Sequence, residues 1–365
     1  MEALIINNIK EFEGFKEDWD RLFDRSLCKN IFLTFDWHNT WWKYFGRSRE
    51  LFIVKVVENE EAIGIAPLFI EKNIGFRCLN FIGSNVSDFE EFLILGDVEK
   101  RNSVVECIFD AIQKNESWDI FRLKKIKESS GNYQGYREVK DKIVLIVSLD
   151  KHNEGAPYLE NPGDWDKYSA NIKAKFLSDT RRRNNKLSQL GEVSYSGNVT
   201  DVKEFDILMK KLKELHISRR KIKGEKSFLA EDYCFRFFCD IAKNMNEKGI
   251  LHLSCLRLNE KIVALHFGFL FKDHFGYQIP VFDQEYKPYA VSRLLLLELI
   301  KECFNSGVKK FDFMLGDEGY KNDWNPKVEP LYFLTCVPKN FRGFMAKFIY
   351  YDLNLFVKKV LQKSW

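Results

Sequence analysis

Residues 251–271 read LHLSCLRLNEKIVALHFGFLF. Two runs rich in leucine, valine, isoleucine and phenylalanine, 251–257 and 262–271, flank Asn259-Glu260. β-favouring residues on both sides of a short polar pair predict an antiparallel hairpin. Two hundred positions earlier the same arrangement stands, with 51–57 and 62–70 flanking Glu58-Asn59-Glu60-Glu61. Each hairpin is followed by another strand candidate (77–82; 275–282), an apolar-periodic helix (103–113; 292–304) and a short strand (118–123; 309–315). Helices also precede each hairpin, at 15–23 and 34–45 in the first half and at 172–190, 202–216 and 231–246 in the second. The repeated order predicts two copies of one α/β (α+β) unit, each a mixed sheet flanked by helices. Gly155, Pro157, Pro162 and Gly163 break the periodicity between them. The expected domains are therefore 1–150 and 167–338, with a linker at 151–166 and a basic amphipathic helix at 339–365.

The 365 residues suit two domains, and 45% hydrophobic with 30% charged residues excludes collagen-like and disordered classes. Eight cysteines, at 28, 78, 107, 234, 239, 255, 303 and 336, form no CxxC pair and no Cys/His cluster at zinc spacing. Neither a disulfide scaffold nor a metal site is expected, which fits a reducing cytoplasm. The first ten residues lack the basic and apolar succession of a signal peptide, and no uncharged apolar run approaches the ~18 residues of a membrane span. A cytoplasmic protein is expected. Net charge is +4, but 167–190 and 210–226 each carry +6, leaving −8 elsewhere. Such local basicity suits a bound anion better than general nucleic-acid affinity; a solvated helical face is the other reading. In 339–365, Phe341, Phe344, Phe348, Ile349, Phe356, Val360 and Leu361 recur at helical spacing beside Lys347, Lys358, Lys359 and Lys363. Two roles stand for this helix: packing on its own domain, or peripheral membrane contact.

No P-loop, GxGxxG, HExxH, GxSxG or kinase signature is present, so phosphoryl transfer by a P-loop, dinucleotide redox chemistry and zinc proteolysis lose their usual support. What stands instead is a set of longer strings. The first half contains FDWHNTWWKYF (35–45), GIAPL (64–68), FIGS (81–84) and SDFEEFL (87–93). The second contains Phe282-Asp283, the run 289–297 and FDFMLGDEGYK (311–321). In these strings and in its internal repeat, the chain resembles the GNAT acyltransferases of the cellulose-biosynthesis type (CelD/BcsL-like, BioF2-like). These are tandem GNAT proteins related in architecture to the FemAB aminoacyltransferases. The resemblance spans about residues 30–335, and the string at 312–321 is its most specific part.

That resemblance implies transfer of an acyl group from acyl-CoA, acetyl-CoA above all, to an amine or hydroxyl of a sugar or cell-envelope polysaccharide precursor. The acceptor would be a small molecule, a nucleotide-sugar or a lipid-linked precursor. Two alternatives stay open: FemAB-like transfer from aminoacyl-tRNA, and a non-catalytic scaffold for envelope-polysaccharide assembly. The coenzyme pyrophosphate should meet the start of the helix after the fourth strand, at residues 290–293, because free N–H groups and the helix dipole favour anions. Ser292 and Arg293 are thus cofactor candidates, Ser292 being equally readable as an N-cap, although the turn has none of the glycines usual there. Arg181 and Arg182, on a helix with Phe176, Leu187 and Leu190 as its buried side, would hold an anionic acceptor or the coenzyme. His216, amid cations, is a candidate general base or a capping residue. Asp283 ends a strand facing the ligand crevice or caps a loop, and Asp312 alternates with two phenylalanines. Asp317 joins His216 and Asp283 as a catalytic candidate; Asp312, Tyr320, Lys321 and Asp88 would bind substrate. Trp37, Trp41 and Trp42 read as core rather than as a sugar platform.

Overall fold

The computed structural model describes residues 1–352 except 27, 29, 116, 143, 144, 200 and 317. In chain order the first elements are β1 (Glu2–Ile6), α1 (Ile9–Gly14), α2 (Lys16–Arg25), α3 (Phe35–Phe45), β2 (Glu50–Leu51), β3 (Ile53–Glu58), β4 (Glu61–Ala66), β5 (Leu68–Asn73) and β6 (Phe76–Phe81). Then come β7 (Leu93–Ile94), α4 (Val98–Lys114), β8 (Ile120–Lys127), α5 (Tyr133–Lys142) and β9 (Leu145–Lys151). The next stretch holds β10 (Ala156–Glu160), α6 (Trp165–Ser169), α7 (Ala174–Ser188), β11 (Val193–Ser196), α8 (Val202–Ile222) and α9 (Asp232–Glu247). It continues with β12 (Leu251–Leu258), β13 (Lys261–Phe271), β14 (His274–Phe282), α10 (Val291–Asn305), β15 (Lys310–Asp312) and β16 (Lys327–Glu329). The chain closes with β17 (Leu331–Pro338) and α11 (Phe341–Lys347). It divides into two compact units, Met1–Asn153 with Pro330–Trp365, and Glu154–Glu329. The fold is mixed α/β, with mixed sheets flanked by helices.

In the first unit β3 and β4 form the expected hairpin, and Asn59 and Glu60 both take positive φ (51° and 66°), as a two-residue turn that follows strand twist requires. Its two sheets have the strand orders β1-β3-β4-β7 and β2-β5-β6-β8-β17-β9. The parallel pair β6/β8 needs a crossover, which α4 supplies, with Asp97 accepting the Lys100 N–H at its N-cap and Val104, Val105, Ile108, Phe109 and Ile112 buried. Trp37 and Trp41 are core; their indole N–H groups donate to Ser87 and Asn85.

The second unit is built on one seven-stranded sheet, β11-β12-β13-β14-β15-β10-β16, in which only β14/β15 is parallel. α10 is again the crossover. Its Leu294, Leu295, Leu299, Ile300, Cys303 and Phe304 recur at helical spacing and bury against Phe275, Tyr277 and Phe311 of the sheet. Each leucine so buried contributes roughly 1.5–3 kcal/mol.

Several boundaries move. Residues 151–166 are not a linker: β9 runs to Lys151, β10 pairs with both β15 and β16, and α6 begins at Trp165. Pro157 stands near the start of β10, just outside the register with β15, which covers Tyr158–Glu160, and its carbonyl accepts the Phe313 N–H. Nor does the second unit reach 338, since β17 pairs with β8 and β9 of the first. The strand expected at 309–315 stops at Asp312, whose carboxylate accepts the Met314 N–H at 2.8 Å while Met314 turns to φ 61°. Leu190 lies beyond the end of α7 and is exposed, so it is not part of that helix's buried side. α11 and a π-turn (Phe348–Asp352) occupy the start of the expected tail helix; 353–365 lie outside the described residues.

Candidate active site

The second unit opens where its parallel pair separates. β14 and β15 are in register only over His274–Gly276 and Lys310–Asp312; β14 then runs on to Phe282 while the segment after β15 turns at Met314. An irregularity between Phe267 and Phe269 opposite β14 lets the backbones approach closely. A Cβ on Gly268 would lie 2.1 Å from the Gly276 carbonyl oxygen, so that position requires glycine. The side chain of Tyr277, fully buried, stacks on His266 at 4.6 Å.

α10 starts beside this opening. Ala290 precedes it in the left-handed conformation (φ 54°, ψ 39°), so an alanine adopts the backbone that glycine would supply. No side chain caps the helix, and Arg293 and Leu294 donate their N–H groups back to the Ala290 carbonyl. The helix start therefore presents its dipole to whatever lies before it. Arg293 reaches Asp179 of α7 at 3.0 Å and lies over the Phe176 ring. Arg182 donates to the same carboxylate at 2.5 Å, and Arg183 lies 3.6 Å from it while donating to the Pro288 carbonyl. Hydrogen bonding from Arg182, then Arg293 and the remaining charges, outweighs desolvation and holds Asp179 at about 2. Three guanidiniums around one carboxylate leave a positive excess at the helix start. Arg181 is exposed on α7.

Around Tyr277 the remaining groups converge. Burial pushes its phenol well above the ordinary value; Tyr320 and Glu318 add to that, while Ser292 and Arg219 oppose it. Arg219 of α8 donates to the Pro280 carbonyl at 3.0 Å. Lys321 is buried and fixed to the Glu318 carboxylate at 2.7 Å and to the Leu315 and Gly316 carbonyls at 3.2 and 3.1 Å. It pins the turn that presents Tyr320. Burial works against ionisation of Glu318, but Lys321 outweighs it and keeps that carboxyl below its usual range.

The other expected residues fall as follows. His216 is buried on α8, 2.7 Å from the Ser227 hydroxyl and edge-on to Phe228. Burial, with Arg220 and Arg219, lowers it to about 4. Asp283 accepts the Glu285 N–H and pairs with Lys261 at 3.2 Å, so its side chain serves as a loop cap. Asp312 is buried and closes the turn to Met314. Asp88 belongs to the first unit and is half-buried. Asp317 lies outside the described residues. Sequence reasoning missed Asp179, Arg219 and Tyr277. The first was hidden inside a cationic run, and only the acid–base count of 167–190 singled it out.

A family model described as an acetyltransferase (GNAT) domain matches residues 174–322, from the first helix of the arginine cluster to the turn after Lys321. The second unit has a GNAT-type fold. No curated protein matches the chain. Among solved structures, FemX aligns at TM-score 0.63 and 11% identity, over 92% of this chain and 97% of its own. A protein of unknown function from Bacteroides thetaiotaomicron aligns at 0.59 and 13%, over 92% and 100%. The C-terminal domain of a putative lysylphosphatidylglycerol synthetase from Agrobacterium fabrum aligns at 0.54 and 12%, over 87% and 91%. These identities speak to fold. Among the described residues no helix is long and apolar enough to cross a membrane. No group of three or more metal-ligating side chains occurs among them either.

Proposed function

We propose that the second unit transfers an acyl group from acyl-CoA, acetyl-CoA in the first instance, to an amine or hydroxyl of a sugar or cell-envelope polysaccharide precursor. The observation that carries the reading is the uncapped start of α10 beside Arg182, Arg183 and Arg293, a site whose charge and N–H direction suit a polyphosphate. A bound thioester supplies the activated carbonyl. The protein's part is to hold the phosphates at the helix start, to place the acceptor near Ser292, Tyr277 and Tyr320, and to take the acceptor's proton. His216, lowered to about 4 and engaged by Ser227, is a poor base near neutrality, where catalytic efficiency favours a pKa close to the working pH. We assign the proton to Asp317 instead, on its place in the sequence between Gly316 and Glu318. The acceptor role read for Asp88 would fall to the first unit.

Calorimetric titration with acetyl-CoA tests the donor. Saturable heat is expected from the full chain, and Arg182→Ala and Arg293→Ala should each weaken binding by roughly 1.5–3 kcal/mol, about 10- to 150-fold. In turnover, Asp317→Asn should cost ~10²- to 10⁴-fold in kcat and His216→Asn less than tenfold. A second reading replaces acyl-CoA by an aminoacyl donor. The alignments with FemX and with a synthetase named for lysylphosphatidylglycerol favour it, as do the two basic helices. No heat with acetyl-CoA together with transfer dependent on charged tRNA would select that reading; absence of both would leave a scaffold.

A further inference from the structure

The surface of the first unit exposes large apolar side chains on two segments distant in sequence that hydrogen bonds hold side by side. On α11 and the turn after it, Phe341, Phe344 and Phe348 are 79%, 52% and 53% exposed, with Met345 between them. Their spacing of three, four and seven puts all four on one helical stripe. The opposite side of the helix is fixed. Ala346 is buried, Gly343 abuts Pro338, and Arg342 clamps Asp119 through two bonds of 2.8 and 2.9 Å. Arg342 also donates to the Gly75 carbonyl, and the Tyr350 hydroxyl to that of Asn73. These two bonds bring the β5–β6 turn beside the helix. At the tip of that turn Ile74 is 71% exposed and sits at φ 48°. A β-branched residue is poorly suited to left-handed backbone, where glycine or asparagine is at ease, and an exposed isoleucine returns nothing to the fold. Folding alone does not account for Ile74.

We propose that Ile74, Phe341, Phe344 and Phe348 form a docking surface for a lipid bilayer bearing anionic headgroups. Charge selects this occupant. Residues 339–365 contain Lys339, Arg342, Lys347, Lys358, Lys359 and Lys363 against the single acid Asp352, net +5; with Arg342 neutralised by Asp119, the five lysines carry the excess. Lys72 adjoins the β5–β6 turn. Protruding apolar side chains flanked by lysines are the composition of an interfacial anchor, whereas lysine is depleted where protein meets protein. The sequence beyond the patch continues the same composition, with Leu353, Leu355, Phe356, Val357, Val360, Leu361 and Trp365 interleaved with lysine.

Co-sedimentation of the full chain with vesicles decides the matter. Binding is expected to vesicles of phosphatidylcholine with about 30% phosphatidylglycerol, and to be at least about tenfold weaker with phosphatidylcholine alone. Ile74→Asn keeps the left-handed turn supplied with a suitable residue, and the pair Phe341→Ser with Phe344→Ser removes the stripe. Each variant should lower the partition coefficient by about tenfold while unfolding cooperatively like the parent. No binding by the parent chain, or binding unchanged in both variants, overturns the proposal. So does a concentration-dependent dimer in light scattering that the variants abolish without vesicle binding, which would assign the patch to a second copy of the chain.

Discussion

His38 on α3 is wholly buried, with Nδ1 3.0 Å from the Ile82 carbonyl, so the neutral imidazole donates there. Burial lowers it to about 3 against the pull of that carbonyl. In the second unit His216 is lowered to about 4, and His266 falls well below its ordinary value through burial and the neighbouring His252. Each is neutral when folded and takes a proton near 6.5 once unfolded. Below that pH the unfolded chain binds more protons, so stability falls as pH drops, by about 1.4 kcal/mol per unit for each histidine. The window runs from about 6.5 to the folded values. In the first unit Glu90, which burial raises to about 7, works in the opposite direction between about pH 4.5 and 7. Urea unfolding of the second unit should therefore show a lower midpoint at about pH 5 than at about pH 7, and His38→Gln should raise the first unit's midpoint at about pH 5 relative to that at about pH 7; an unchanged slope would mean that His38 protonates in the native state. These residues also mark what the sequence discloses at this scale. Arg182 is visible because charge stands out in a run, and Arg293 because it falls at the start of α10, which follows from that helix's period. Whether a polar side chain is exposed or engaged is decided by residues remote in sequence, such as Ser227 for His216 or Lys261 for Asp283.

At the level of elements, the hairpins were legible because a two-residue turn between apolar runs fixes its own geometry. The β3–β4 turn is more demanding than its letters suggest: both Asn59 and Glu60 are left-handed, and such turns favour Asn-Gly. A non-glycine residue there costs roughly 1–2 kcal/mol, of which the extra freedom of glycine in the unfolded chain returns about 0.5–1. Glu60→Gly should therefore stabilise the first unit by about 0.5–1 kcal/mol, read as a higher urea midpoint; a lower one would mean that the exposed glutamate contributes contacts beyond its backbone. β15 shows the opposite situation. Its apolar alternation continues past Asp312, and the sequence predicts seven strand residues, but the Asp312 carboxylate captures the Met314 N–H and ends the ladder. A side-chain bond to the backbone two residues on competes directly with strand pairing, and nothing in hydrophobic pattern announces it.

For the whole molecule, the sequence suggested two units in tandem, and the breakers at Gly155, Pro157, Pro162 and Gly163 suggested where one ends. The first unit is instead discontinuous. β17 lies between β8 and β9, and its apolar run LYFLTCVP carries no local mark of partners some two hundred residues earlier. The junction has a simple geometry. β9 and β17 are antiparallel up to Lys151 opposite Tyr332, and the His152 N–H donates to the Leu331 carbonyl at 2.7 Å. Residues 154–329 thus occupy the position of a hairpin loop, and all seven strands of their own sheet lie within them. The entropic cost of closing a chain varies slowly with loop length, so replacing that long insertion by a short turn should not disfavour the β9–β17 pairing. We expect a chain in which 154–329 are replaced by Asn-Gly between Asn153 and Pro330 to fold cooperatively, and 154–329 alone to do so with acetyl-CoA binding retained. A chain ending at 329 leaves β8 and β9 without the strand between them and should lose cooperative unfolding of the first unit. Circular dichroism with urea titration reads all three. Cooperative unfolding of that first unit without β17 would show that β8 and β9 do not depend on it.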